Sequence, residues 1–353
     1  MEKDDLRKTF SVLALVLLAG LFPLSSQAAK ARIQRQLPPL SAHPLADAFI
    51  AAMHEEYGFD VAQLQRQFAA IHSNASVLRA IQPAAVPEQQ RSWQRYRERF
   101  VNERRLTHGV RFWRENAAEL ARAEALYGVP REIIVAIIGV ETEYGRNMGK
   151  FSVLEALATL AFDYPPRAPF FRNELEQFLL LARENGVSPL DIKGSYAGAI
   201  GIPQFMPSSQ RRYAVDFDGD DRIDLRRSPT DAIGSVARFL KLHGWQPGAP
   251  IALAASTDND PRELIAAGIK PWHPLSELLN QGVRTRGDTS ALGAQAVALI
   301  DLVTPEQATE YWIGFDNFYV ITRYNRSSFY AMSVFQLAEA LRLAQQDAAD
   351  AAQ

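Results

Sequence analysis

Hydrophobic and polar positions follow a helical period over most of the chain. Phe49, Ile50 and Met53 share a face that stops at Gly58, and Asp60 then stands where a helix cap belongs, ahead of Val61, Leu64, Phe68 and Ile71. Trp93, Tyr96 and Phe100 open a longer stretch, interleaved with Arg91, Arg95, Arg97 and Arg99. That stretch reads as a packed helix with its arginines in solvent; a sugar-lining or anion-lining face is the rarer alternative, and no role is assigned to it. Within residues 130–146, PREIIVAIIGVETEYGR, Pro130 suits the first helical position, Ile133, Ile134, Ile137 and Ile138 form one stripe, and Gly145 is a stop signal. Helical periodicity continues over 152–186, broken at Asp163-Tyr164-Pro165-Pro166, and returns after Pro229, where Ile233, Val236 and Leu240 share a face ending near Gly244. From 250 to 324 the pattern changes to short β-prone runs, 296–303, 310–315 and 318–323. A last helix carries Val334, Leu337, Ala338 and Leu341 into an alanine-rich tail. No internal repeat is evident.

The 353 residues, 47 % hydrophobic and 22 % charged, suffice for a sizeable core and more than one subdomain. A net charge of −2 gives no bulk attraction for nucleic acid. Cysteine is absent, which excludes disulfides, thiolate catalysis and cysteine-based metal sites; the six histidines are scattered without an HExxH, so a zinc hydrolase is not expected. Residues 1–31 read as a secretory signal: Lys3, Arg7 and Lys8, an apolar run over 10–24, then small residues, with cleavage after Ala28 or Ala31. An uncleaved anchor is the alternative, but the run is short for a span and Pro23 interrupts it. With no cysteine to accept a lipid at the junction, the mature protein is expected to be soluble and periplasmic.

Candidate chemistry concentrates in three stretches. Glu141 lies one turn past Ile137, so a helix that buries the isoleucines carries a carboxylate into the same partly dry environment. Desolvation and the unpaired carbonyls of the last turn both push its pKa up, which makes a general acid; the alternative is a structural salt bridge, for instance to Arg146. Glu143 is expected to point to another face, towards solvent or an exposed partner. The second stretch, residues 193–209, KGSYAGAIGIPQFMPSS, has five small residues (Gly194, Ser195, Ala197, Gly198, Gly201) that let the backbone approach a ligand or a helix. Gln204 sits there among apolar neighbours and needs hydrogen-bond partners. The third, DFDGDDRID, places Asp216, Asp218, Asp220 and Asp224 at EF-hand positions 1, 3, 5 and 9, a spacing for a hard cation. Asp221 replaces the usual turn glycine at modest cost, and Arg227 stands where the closing Glu belongs; Asp231 is an available closing ligand, although Ser228-Pro229-Thr230-Asp231 also resembles a capping box.

GVETEYGR at 139–146, the 193–209 stretch, the acidic loop, SPTDAIGSVARFLKLHGW at 228–245 and ITRYNRSSFYAMSV at 321–334 together resemble the lytic transglycosylase B family of bacterial cell-wall enzymes. The resemblance implies a mainly α (α+β) fold: a helical domain over 42–127 joined by the C-terminal helix 328–346, a lysozyme-like core over 128–248 holding the active site and a structural calcium loop, and a small antiparallel β domain over 249–326. Glu141 matches the family's single catalytic acid; Ser195, Gln204, Tyr324 and Asn325 fall in its glycan cleft, with Tyr144 flanking the acid. Asp216, Asp218, Asp220, Asp224 and Asp231 are the implied calcium ligands, and no organic cofactor is implied. The implied partner is the peptidoglycan glycan strand, met by a monomer, with cell-wall synthesis or remodelling complexes as candidate assemblies. The implied reaction cleaves the β-1,4 bond between N-acetylmuramic acid and N-acetylglucosamine without water, leaving a 1,6-anhydro-muramyl end. A hydrolytic muramidase and a non-catalytic peptidoglycan-binding scaffold are the alternatives.

Overall fold

The computed structural model describes residues 38–82, 92–286 and 289–350; the expected signal segment, Arg91 and the end of the tail lie outside them. Helices form where the apolar stripes place them. α1 (Ala46–Tyr57) buries Phe49, Ile50 and Met53, and Gly58 closes it at φ 69°, a left-handed conformation that costs glycine little. Asp60 caps α2 (Val61–Ala69), its carboxylate accepting the Gln63 N–H at 2.6 Å, and Asn74 caps α3 (Ala75–Ile81) in the same manner. α4 (Trp93–Phe100), α5 (Glu103–Glu115) and α6 (Ala117–Tyr127) lead into α7 (Arg131–Thr142). Pro130 is the residue before α7 rather than its first, and Glu143, at φ 52°, closes it two residues ahead of the expected glycine.

A short ribbon, β1 (Phe151–Ser152) with β2 (Lys193–Gly194), brackets α8 (Val153–Asp163) and α9 (Ala168–Glu184), which meet at a proline-containing 3-10 turn. α10 (Pro207–Tyr213) precedes the acidic loop. α11 (Pro229–Leu242) follows it, with the Ser228 hydroxyl accepting the Asp231 N–H.

The remaining elements are β3 (Ala252–Thr257), α12 (Arg262–Ala266), β4 (His273–Pro274), α13 (Leu275–Asn280), β5 (Val283–Thr285), β6 (Ala296–Leu302), β7 (Glu310–Gly314), α14 (Asp316–Thr322) and α15 (Ser328–Asp350). The five strands form one antiparallel sheet in the order β4-β6-β7-β3-β5, with Ile313 paired to both Leu299 and Leu253. Two expectations fail here. Residues 318–323, rich in β-branched and aromatic side chains, are helical, and β3, α12 and α13 were not foreseen. The cause is tertiary: Asn317, Phe318 and Ile321 are wholly buried on one side of α14, and Asn317 is fixed by three hydrogen bonds to the backbone of Gln246 and Ala249 at 2.8–3.1 Å.

Three apolar cores result, and they do not follow the order of the chain. α1–α3 pack on α8 and α9; α4–α7 pack on α11, α14 and α15; the sheet encloses Leu264, Leu275 and Leu278. Strand periodicity links the last two, because Val297 and Leu299 face the sheet's own core while Ala298, Ile300 and Leu302 face the helices. The described residues thus form one compact unit.

Since Asn317 satisfies part-buried backbone groups on two residues, Asn317→Ala should lower stability by about 1–3 kcal/mol, because water can reach some of the groups left without their partner. Urea unfolding monitored by circular dichroism measures this, and a loss below about 0.5 kcal/mol would show that the tie is not what holds α14.

Candidate active site

The isoleucine stripe of α7 is buried, Ile134, Ile137 and Ile138 wholly so, and Glu141 continues it in the last turn. Glu141 keeps some contact with solvent, yet enough protein surrounds its carboxyl for desolvation to dominate, raising its pKa to about 7. The Tyr330 hydroxyl, on α15, donates to Glu141 Oε1 at 2.6 Å and opposes part of that rise. Among the described residues Glu141 has no ion pair; Arg146 is exposed, so the salt-bridge alternative is not realised.

Tyrosines supply the rest of the surroundings. Tyr324, one residue beyond the C-cap of α14, lies 6.4 Å from the Tyr330 ring at an interplanar angle of 14°, and its hydroxyl donates to Pro203 O at 2.6 Å. Burial first, and then the charge of Glu141, hold both hydroxyls well above the usual tyrosine pKa; Tyr96 on α4 is pushed up to about 12 by the same two causes. These phenols therefore stay neutral and able to donate. Tyr330 and Tyr96 were missed in the sequence. Tyr330 lies inside the ITRYNRSSFYAMSV stretch, and Tyr96 belongs to the aromatic and basic helix with no assigned role; that the Glu141 charge reaches it is a tertiary effect with no local signal.

The 193–209 stretch closes on the same point. Thr142 Oγ1 donates to Ile202 O at 2.7 Å, and the Phe205 ring lies 5.7 Å from that of Tyr324, so α7, this loop and the start of α15 converge. Gln204 takes a left-handed φ of 51°; its Nε2 donates to Met148 O at 3.1 Å and Gly201 O at 2.8 Å, leaving Oε1 without a partner among the described residues. Ser195 Oγ accepts the N–H groups of Ala197 and Ala199, at 3.3 and 3.0 Å, and so shapes its own loop. Asn325 is exposed beside Tyr324.

Two residues follow the acid on the turn. The Tyr144 hydroxyl is buried without a partner among the described residues, wedged where a Cβ on Gly109 or Gly139 would come within 2.3 or 2.5 Å of it. Of its two expected surroundings, Glu143 takes the exposed partner, Arg104, and not solvent. It is 3 % exposed, with Arg104 Nη2 at 2.6 Å and His108 Nδ1 at 3.0 Å from its carboxylate, because the left-handed turn folds it back onto α5.

In the acidic loop, Asp216, Asp218 and Asp231 bring carboxylate oxygens within 4.8 Å of one another. Asp220 and Asp224 lie outside that group; their carboxylates accept the backbone N–H groups of Arg222 and of Arg226 and Arg227. Asp221 takes the left-handed φ of 66° that the missing glycine would have adopted. Asp231 is buried, and burial raises its pKa, with Asp218 adding repulsion; backbone N–H groups of Phe217 and Asp224 bond its two oxygens at 2.8 Å each. A buried carboxylate facing two others is a donor set suited to a hard divalent cation.

Residues 41–339 match the transglycosylase SLT domain family. The chain is 44 % identical over 311 residues to the membrane-bound lytic murein transglycosylase B of Escherichia coli K12, covering 86 % of this chain and 84 % of that protein. Its fold matches the soluble lytic transglycosylase SltB1 of Pseudomonas aeruginosa, with 50 % identity, a TM-score of 0.78, and coverage of 86 % of this chain and all of that one. It likewise matches the Escherichia coli lytic transglycosylase Slt35 in complex with calcium, with 43 % identity, a TM-score of 0.76, and coverage of 88 % and 96 %. A family match over most of the chain, a close relative and two solved folds agree with one another, and the chain belongs to the SLT transglycosylase family.

Proposed function

We propose that the protein is a lytic murein transglycosylase that cleaves the β-1,4 bond between N-acetylmuramic acid and N-acetylglucosamine, with Glu141 as acid and then base. The observation that carries this is a carboxyl with its pKa near neutrality, hydrogen-bonded to a neutral tyrosine and free of any cationic partner among the described residues. Two-carboxylate glycosidases need a second free acid opposite the first. The acid nearest in sequence, Glu143, is buried and committed to Arg104 and His108. A one-carboxylate mechanism is the reading this supports.

Protonated Glu141 gives its proton to the glycosidic oxygen as the bond to C1 breaks and the N-acetylglucosamine side leaves as an alcohol. The muramyl N-acetyl oxygen bonds to C1, forming an oxazolinium. Glu141, now ionised, takes the proton of the C6 hydroxyl as O6 attacks C1 and displaces the acetamide, which closes the 1,6-anhydro ring and returns Glu141 to its acid form. Tyr330 fixes the carboxyl's direction, and its neutral phenol tolerates both charge states. Gln204 Oε1, Ser195, Tyr324 and Asn325 line the glycan cleft; Tyr144 supports the site from within.

Asp216, Asp218 and Asp231 are the residues that would hold calcium, which supplies charge neutralisation between carboxylates and locks the loop to α11, with no part in bond cleavage. Residues 1–31 direct the chain to the periplasm, where its substrate lies; no helix of the described residues is long and apolar enough to cross a membrane.

Glu141→Gln should cut release of muropeptides from purified sacculi by at least ~10²–10⁴-fold with the fold intact, since both proton transfers lose their group. Wild-type products should end in 1,6-anhydro-muramyl residues by mass spectrometry. Reducing ends throughout would make the enzyme a hydrolase, and a fully active Glu141→Gln would remove the assignment. The acid must be protonated to start the reaction, so kcat/KM should fall on the alkaline side of about pH 7.

The same raised pKa couples to stability. Because folded Glu141 holds its proton to higher pH than the unfolded chain, its burial weakens folding progressively between about pH 4.5 and 7 and fully above that. Glu141→Gln should therefore gain in melting temperature over wild type at pH 8 and show no such gain at pH 4. An equal difference at both would assign the effect to packing.

Millimolar calcium should raise the melting temperature relative to chelator, through binding to the folded state alone, and Asp218→Asn should shrink the rise. Identical melting in calcium and chelator would remove the metal while leaving the catalytic assignment untouched.

A further inference from the structure

We propose that Glu143 is a positioning residue for Glu141, holding the left-handed turn at the end of α7 against one face of α5. The inference rests on Glu141 being the proton donor. Its basis is a backbone that the local sequence does not favour. Glu143, Tyr144 and Gly145 have successive φ values of 52°, 62° and 82°, and only the third is a glycine. Such a run persists where surroundings impose it.

The imposing surroundings all come from α5. Arg104 and His108, one helical turn apart, both bond the buried Glu143 carboxylate. Arg105, between them, donates its Nε to Gly139 O at 3.0 Å, the carbonyl that also accepts the Glu143 N–H at 3.1 Å. Gly109 then leaves the space in which the Tyr144 ring is wedged against Gly139. Four neighbouring positions of α5 thus grip the chain on both sides of Glu141, at Gly139 and at Glu143–Tyr144. On the other flank Thr142 is tied to Ile202. The Glu141 side chain thus projects from a backbone held on both sides, with its carboxyl directed at Tyr330.

A surface ion pair would do none of this. Arg104 is exposed, but the carboxylate it meets is not, so the pair exists to anchor Glu143 and not to decorate the surface. The titratable groups facing Glu141 are Tyr330 on α15, Tyr324 beyond α14 and Tyr96 on α4, each neutral near pH 7. Release of the turn would change the acid's hydration without bringing any of them into charge.

Glu143→Gly tests the idea, because glycine accepts the left-handed turn and only the side-chain anchor is lost. On glycan strands we expect kcat to fall about tenfold or more with KM within twofold of wild type, as for a displaced catalytic group. The alkaline limb of the pH profile should move to lower pH as water reaches Glu141, and Glu143→Gln, which keeps an acceptor for Arg104 and His108, should recover part of kcat. A wild-type kcat and unmoved limb in Glu143→Gly, with only the melting temperature reduced, would make the ion pair merely structural and overturn the proposal. Should that variant not fold, Arg104→Ala combined with His108→Ala removes both ties of the anchor from α5, and the same loss of kcat or its absence decides. Failure of the acid assignment reads differently: Glu141→Gln would then be active, and the positioning role would fall with it.

Discussion

Keeping one carboxyl partly dry is the constraint on which the rest of this structure depends. The α7 stripe drives the helix into the core, and Glu141, one turn beyond the last pair of isoleucines, goes with it. Desolvation favours its neutral form, and only a neutral donor, Tyr330, offsets part of the cost. A cationic partner would have stabilised the site and ended its chemistry, since a carboxylate fixed by an arginine holds no proton near neutral pH. The nearby arginines are engaged elsewhere: Arg104 with Glu143, Arg105 with the backbone, Arg146 in solvent.

Two adjacent carboxylates are thereby set to opposite roles by their surroundings. Both lie on or just past the end of the same helix, where unpaired carbonyls disfavour negative charge. Glu143 meets α5 and is held as an anchor; Glu141 meets phenols and is left to titrate. Their separation by two residues puts them on different faces, and the left-handed turn between α7 and the next strand fixes how far apart those faces point.

The acidic loop repeats the logic with the opposite outcome. Asp231 caps nothing with its own side chain; it accepts two N–H groups from across the loop while its N–H is capped by Ser228. Asp231 belongs to both the helix start and the carboxylate cluster, through its N–H in one and its carboxylate in the other, so its capping and ligand readings do not compete. Phe217, buried beneath the loop under the Arg122 guanidinium at 3.8 Å, ties the loop to the helical core.

Local pattern determined a great deal here. Apolar stripes, Gly58, Asp60 and Ser228 marked helices and their ends, because helix periodicity and capping are written within a few residues of where they act. The placement of Glu141 on the isoleucine stripe, and hence the direction of its pKa, followed from spacing alone. What sequence could not decide was everything that depended on a partner from elsewhere in the chain. Residues 318–323 have strand propensity, yet burial beneath the Asn317 tie makes them helical. Glu143 reads as facing solvent or an exposed partner, and only α5, nearly forty positions earlier, shows which by supplying Arg104 and His108. Tyr96 and Tyr330 carry no local mark of their role. They matter because folding brings residues 45 positions before and 189 positions after the acid to its side, and electrostatics depends on distance in space, which the order of residues does not encode.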